Sequence, residues 1–195
     1  MLLSSALLCL PGAAAAQDAA DIVTFLAGGA IGLVVHEAGH VAVNLAAGVT
    51  PGVKGVAYGP FRFFAITHES VAPRREFAIS SAGFWSQHIG SELILARRPH
   101  LRDEDAPLVK GMLAFNVLAS AVYAGAAFAR TGPPERDTRG MAVSAGMREP
   151  WIGAWLLAPA ALDAARYYRR DAPWLRWASR VMKVGGVLLI VRAAD

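Results

Sequence analysis

The sequence predicts an all-α polytopic membrane protein of about four transmembrane helices, with a small β-hairpin inserted after the first and a short apolar C-terminal segment. Three observations predict it. Hydrophobic residues make up 55% of the 195-residue chain and charged residues 17%, with a mean hydropathy of +0.39; an ordinary soluble domain carries about 25% charged residues. Apolar segments recur along the chain, separated by short charged or turn-rich stretches. After the first of them, one stretch changes to aromatic and β-branched residues bracketed by Gly and Pro, the pattern of a hairpin rather than a helix. The length fits one domain, spanning residues 17–195.

The elements follow in order. Residues 1–16 hold a short apolar run ending in Ala14-Ala15-Ala16, which suits either a signal peptide cut at small residues or an uncleaved lead into the first span. The first span covers Ile22 to Ala47, and Gly28-Gly29 and Gly32 within it suit close helix packing. Gly48 to Arg75 holds Pro51-Gly52 and Gly59-Pro60 around Phe61 to Thr67, a hairpin or a pair of short strands. The second span, about Phe77 to Ala96, carries Ser80, Ser81, Ser86, Gln87, His88, Ser91 and Glu92. It is too polar to face lipid all round and is expected inside a bundle or along a wet cavity. Arg97 to Asp105 reads as a charged loop, Pro107 to Ala129 as a cleaner third span, and Thr131 to Arg148 as a loop. Trp151 to Leu162 is the fourth apolar stretch. Val181 to Val191 is shorter than the roughly 20 residues a crossing needs.

One short motif stands out. His36-Glu37-Ala38-Gly39-His40 lies in a run whose only other strongly polar side chains, from Ile22 to Ala47, are Thr24 and Asn44. On a helix, residues four apart share a face, so both imidazoles can reach one metal ion. Glu37 stands beside them as the group to take a proton from an activated water. Five His and seven Glu placed at random would give about 0.005 such motifs in this length. Ionisable groups in an apolar span cost several kcal/mol and so tend to mark function.

A catalytic zinc usually takes three protein ligands and leaves a fourth position open. Candidates for the third are carboxylates and histidines in apolar surroundings. Asp163 comes first: it closes the run Leu156 to Leu162, where Pro159 can kink the helix and turn the acid inward. Its alternative is a helix-end pairing with Arg166. Glu92 comes next, with His88 one turn before it, and then His68 on the hairpin side. Asn116 and Gln87 are candidates for contacting a substrate, although a lone Asn in a span is more often helix-to-helix glue.

Composition excludes other classes. The net charge is +4, but the basic residues fall in short runs between apolar segments, as expected at membrane ends. A nucleic-acid site would want a basic face with interleaved aromatics, so no nucleic-acid partner is expected. The single Cys9 excludes an internal disulfide and a cysteine zinc cage.

Taken together, these motifs resemble the site-2 protease family of intramembrane zinc metalloproteases. Val34-Val35-His36-Glu37-Ala38-Gly39-His40 is similar to that family's first-span motif. Leu162-Asp163-Ala164 resembles its Leu-Asp-Gly motif, whose Asp is the third zinc ligand, and Ser81 to Gln87 resembles its Ala-Gly-Pro-x-x-Asn segment. The chain departs from the pattern at Ala164, Trp155, Phe84 and Gln87, and has no room for a PDZ domain. The resemblance implies Zn²⁺ held by His36, His40 and Asp163, a water activated by Glu37, and hydrolysis of a membrane protein or peptide in or beside the bilayer. It also implies a multi-pass location, expected in a bacterial inner membrane. Phe61 to Thr67 is the segment expected to pair with an extended substrate strand. Two rivals remain: a metal-binding membrane protein without protease activity, and a metallopeptidase using Glu92 as third ligand.

Overall fold

The computed structural model describes residues 11–58, 60–169 and 171–193. The signal-peptide reading of residues 1–16 falls largely outside them; the described part from Pro11 onward is helical. The chain runs α1 (Pro11–Ala46), β1 (Gly52–Tyr58), β2 (Phe61–Thr67), α2 (Pro73–Arg97), α3 (Pro107–Ala129), α4 (Asp137–Ser144), α5 (Glu149–Tyr168) and α6 (Pro173–Ala193). Prolines in the first turn start α2, α3 and α5, where the missing N–H has no helical partner to lose. Gly48, at φ +72°, stops α1 by a left-handed turn that a side chain would strain.

The hairpin expected after the first span is present. β1 and β2 pair antiparallel from Gly52↔Thr67 to Tyr58↔Phe61 and form a sheet of two strands. Among the described residues, two helices are long and apolar enough to cross a membrane, over Asp18–Ala46 and Pro107–Ala129. Both turn much of their apolar surface outward: Val34 is 65% exposed and Val122 70%. The other expected crossings do not reach that hydropathy. α2 buries Ser80, Ser81, Gln87, His88 and Ser91, and α5 carries Asp163 and Arg166.

Two further expectations change. The stretch read as a loop from Thr131 to Arg148 contains α4. The short C-terminal apolar run is part of the 21-residue α6, whose first half interleaves Arg176, Ser179, Arg180 and Lys183 with apolar residues, so hydropathy alone truncated it.

Packing fixes where the motif points. α1 lies against α2 and α3, α3 against α5, α4 against α2 and α5, and α5 against α6. The α1–α3 crossing is close because Gly28 faces the Leu108 backbone and Gly111 the Phe25 backbone, with no space for a Cβ at either. Phe77 and Phe84 of α2, Met141 and Ala142 of α4, and Ile152 and Leu156 of α5 form one buried cluster. Leu95, Leu101 and Leu113 form a second. The first cluster holds α4 against the half of α2 that faces the histidines.

Candidate metal centre

His36 and His40 are both buried on α1, 2% and 4% exposed. The i, i+4 spacing puts their Nε2 atoms 3.2 Å apart. His40 Nδ1–H donates to the Ile79 carbonyl at 2.8 Å, which fixes the ring and leaves Nε2 facing His36 and Asp137. The His36 ring is wedged between α1 and α2 where Gly83 leaves space; a Cβ at Gly83 would run into the imidazole. Phe84 meets that ring edge-on at 5.4 Å and Tyr123 stacks beside it at 6.0 Å. Gly39 lets α1 approach Ala82 and Ser86 closely, so the glycine inside the motif serves packing.

Asp137, the first residue of α4, completes the cluster. Its Oδ2 lies 3.5 Å from Nε2 of His36 and 3.5 Å from Nε2 of His40. Burial alone would raise this carboxyl; hydrogen bonding with His36 and His40 outweighs it and holds the group well below the usual carboxylate range. With both Nε2 nitrogens deprotonated, three ligand atoms stand at mutual distances of 3.2, 3.5 and 3.5 Å. A tetrahedral ion with ligands at about 2.0–2.1 Å spaces them about 3.3–3.4 Å apart. The His36–His40–Asp137 group fits a metal ion and can hold one.

The carboxylate is itself held in place. Arg136, just before it, forks onto Glu149 at the start of α5 with two 2.7 Å bonds, and the Thr138 hydroxyl donates to the same carboxylate at 2.8 Å. This clamp flanks Asp137 on both sides and locks the first turn of α4.

Glu37 lines two cavities that meet the cluster. One, of about 350 Å³, lies between α1, the end of α3, the 131–137 stretch and β2. Four consecutive residues of β2, Phe63 to Ile66, line it together with Val56 of β1, the partner of Phe63. β1 occupies one edge of β2. The second cavity, of about 540 Å³, is an apolar groove between α1 and α3. Tyr123 lines both, and shares the first with Asp137.

Asp163, expected as the third ligand, is not at this site. Its carboxylate is buried, but it takes hydrogen bonds from Lys183 at 2.9 Å and Ser179 at 2.6 Å, both on α6, and from Arg166 at 3.4 Å, the pairing expected as its alternative. Pro159 does not break α5, and the inward turn it was expected to give Asp163 leads to α6. The distance can be read along α2. His40 docks at Ile79, whereas Arg166, one turn after Asp163, docks at Glu92. Thirteen helical residues separate these two levels, about 20 Å.

The other candidates also lie apart from the cluster. Glu92 is bound by Arg166, Arg180 and Lys183 and His88 packs between Trp85 and Trp155. His68 donates to the Glu69 carbonyl and faces Glu76. Asn116 donates to the Gln87 carbonyl and to Ser91, and Ser120 donates to the Gln87 side chain. Through these bonds Asn116, Ser120, Gln87 and Ser91 tie α3 to α2, and Asn116 and Gln87 do not line the two cavities at Glu37. Asp137 and Tyr123 were missed. The signal available for Asp137 was a helix start, an acid just after Pro133-Pro134, inside a stretch whose composition reads as loop.

Comparison with protein-family models, curated proteins and solved structures finds no match for this chain.

Proposed function

We propose that the chain is a multi-pass, membrane-embedded zinc endopeptidase, with His36, His40 and Asp137 as metal ligands and Glu37 as general base. The observation that carries this reading is the ligand triangle of 3.2, 3.5 and 3.5 Å beside a glutamate that opens onto an edge strand. Zinc bound there would supply Lewis-acid polarisation and bring its water toward a pKa of about 7. Glu37 takes the proton from the attacking water and returns it to the departing amine. Tyr123, in both cavities, is placed to donate to the oxygen on which charge develops. An intact helix hides its carbonyls in its own hydrogen bonds, so a substrate must be extended before it is cut. The free edge of β2 offers backbone partners for such a segment. The apolar groove between α1 and α3 gives a route from the lipid side to Glu37. The outward apolar faces of α1 and α3 favour a bilayer over water, where a patch of that extent would promote association.

The test is zinc content and cleavage measured on the same preparations. Glu37→Gln is expected to keep zinc and lose cleavage of a membrane peptide by about 10²–10⁴-fold. Parent-level cleavage by Glu37→Gln overturns the mechanism. Zinc bound with no cleavage by the parent protein on any membrane peptide replaces it with a metal-binding role.

A further inference from the structure

At the end of the bundle away from the histidines, Arg166, Arg169, Arg176 and Arg180 line one cavity of about 190 Å³ with Leu95 at its side. They come from the end of α5, the α5–α6 connection and the first turns of α6. We propose that this cavity binds a phosphate group, and that the phosphate is carried by the headgroup of an anionic phospholipid. The inference stands independently of the peptidase reading.

The charges around the cavity do not balance. The cations are the four arginines and Lys183; the carboxylates within reach are Glu92, Asp163 and Asp171. Glu92 is shared by Arg166, Arg180 and Lys183. Asp163 is shared by Lys183 at 2.8 Å and Arg166 at 3.4 Å. The Arg169–Asp171 contact is 3.6 Å long with both side chains at least 70% exposed, which is worth little in water. Arg176 meets no carboxylate among the described residues. Guanidinium groups gathered this way repel unless an anion sits among them. Phosphate is the matching anion, because its oxygens accept the arginine fork in pairs. The base of the cavity is rigid, since Arg166 is fixed by Glu92 on α2 and by Ser179 on α6.

The lipid source follows from α6. Arg176, Arg180 and Lys183 fall on one face of that helix. Trp174, Trp177, Val181 and Val184, spaced i, i+3, i+7 and i+10, are 58–65% exposed on another. Tryptophans with a cationic face beside them suit the headgroup level of a bilayer, and basic pockets between helices at that level take anionic headgroups.

The experiment uses the full-length protein in detergent, titrated with short-chain phosphatidylglycerol, short-chain phosphatidylcholine and inorganic phosphate, with dissociation constants read from intrinsic fluorescence or thermal shift. Phosphatidylglycerol is expected to bind, and the Arg169→Gln/Arg176→Gln double variant to weaken that binding about thirtyfold. Neither residue belongs to the buried ion network, so this variant keeps its fold. Arg62→Gln/Arg148→Gln, at the other end of the molecule, is expected to change nothing. Inorganic phosphate binding alone at the same arginines, with no gain from the lipid, assigns the site to free phosphate and overturns the headgroup source. Equal binding of phosphatidylcholine, or an unchanged constant in the double variant, overturns the proposal.

Discussion

Replacing Asp137 by Ala separates this metal centre from the one its sequence suggests. The carboxylate is 3.5 Å from both imidazole Nε2 atoms and would supply one of three ligands. Four-ligand structural zinc sites bind with about 10–16 kcal/mol, so one ligand is worth about 3 kcal/mol. Asp137→Ala should therefore weaken zinc binding by roughly a hundredfold or more. Asp163→Ala gives the opposite pattern. Its carboxylate is bound by Lys183 and Ser179 of α6 and takes no part in the His36–His40–Asp137 group, so zinc affinity should stay at the parent value. Stability should fall, because buried Lys183 then keeps only its 3.4 Å contact with Glu92. Removing one partner of a buried pair costs about 3–5 kcal/mol, and the remaining contact places this case near the lower end. The assay is competition for zinc against a chelator of known affinity, beside a denaturation curve for each variant. Parent-level zinc affinity in Asp137→Ala, or loss of zinc from a folded Asp163→Ala, would refute the assignment.

Other substitutions probe how the centre is supported. Gly83→Ala puts a methyl group into the His36 ring; it should cost about 1–3 kcal/mol and weaken zinc binding, whereas Gly125→Ala, with open space around it, should do neither. Glu149→Gln removes the charge that Arg136 grips at 2.7 Å. It should weaken zinc binding about 10–100-fold with His36, His40 and Asp137 intact, as measured by the same chelator competition. The Glu149 carboxyl also sets an acid limit. Burial pushes it up, but hydrogen bonds from Arg136 and Thr138 outweigh burial and hold it low. A depressed carboxylate contributes stability above the unfolded value of about 4.3 and loses it as pH falls through the folded one. The melting temperature should therefore drop below about pH 4.3 in the parent, and less steeply in Glu149→Gln.

How much was legible depends on range. The hairpin could be read because Gly-Pro turns and β-branched residues act locally. The boundaries of the third span, Pro107–Ala129, could be read because a proline opens it and its hydropathy is unbroken. α4 was not legible: eight residues in a stretch rich in Gly, Pro and charge give too little periodicity, and its helix is held by Met141 and Ala142 packing into a distant cluster. Asp163 misled because burial was inferred correctly but not its direction. An acid that closes an apolar run needs partners, and Lys183 and Ser179 meet that need as well as a metal would.

By itself, the sequence determined the pair of imidazoles and the glutamate beside them, since i, i+4 spacing on a helix places two side chains together whatever surrounds them. It also determined the strongly apolar character of α1 and α3. Only the tertiary structure decided which of the chain's carboxylates joins His36 and His40. That choice depends on α2 and α5 fixing the height of every acid along the bundle, and on the Arg136–Glu149 clamp bringing Asp137, 97 positions after His40, to the level of the two rings.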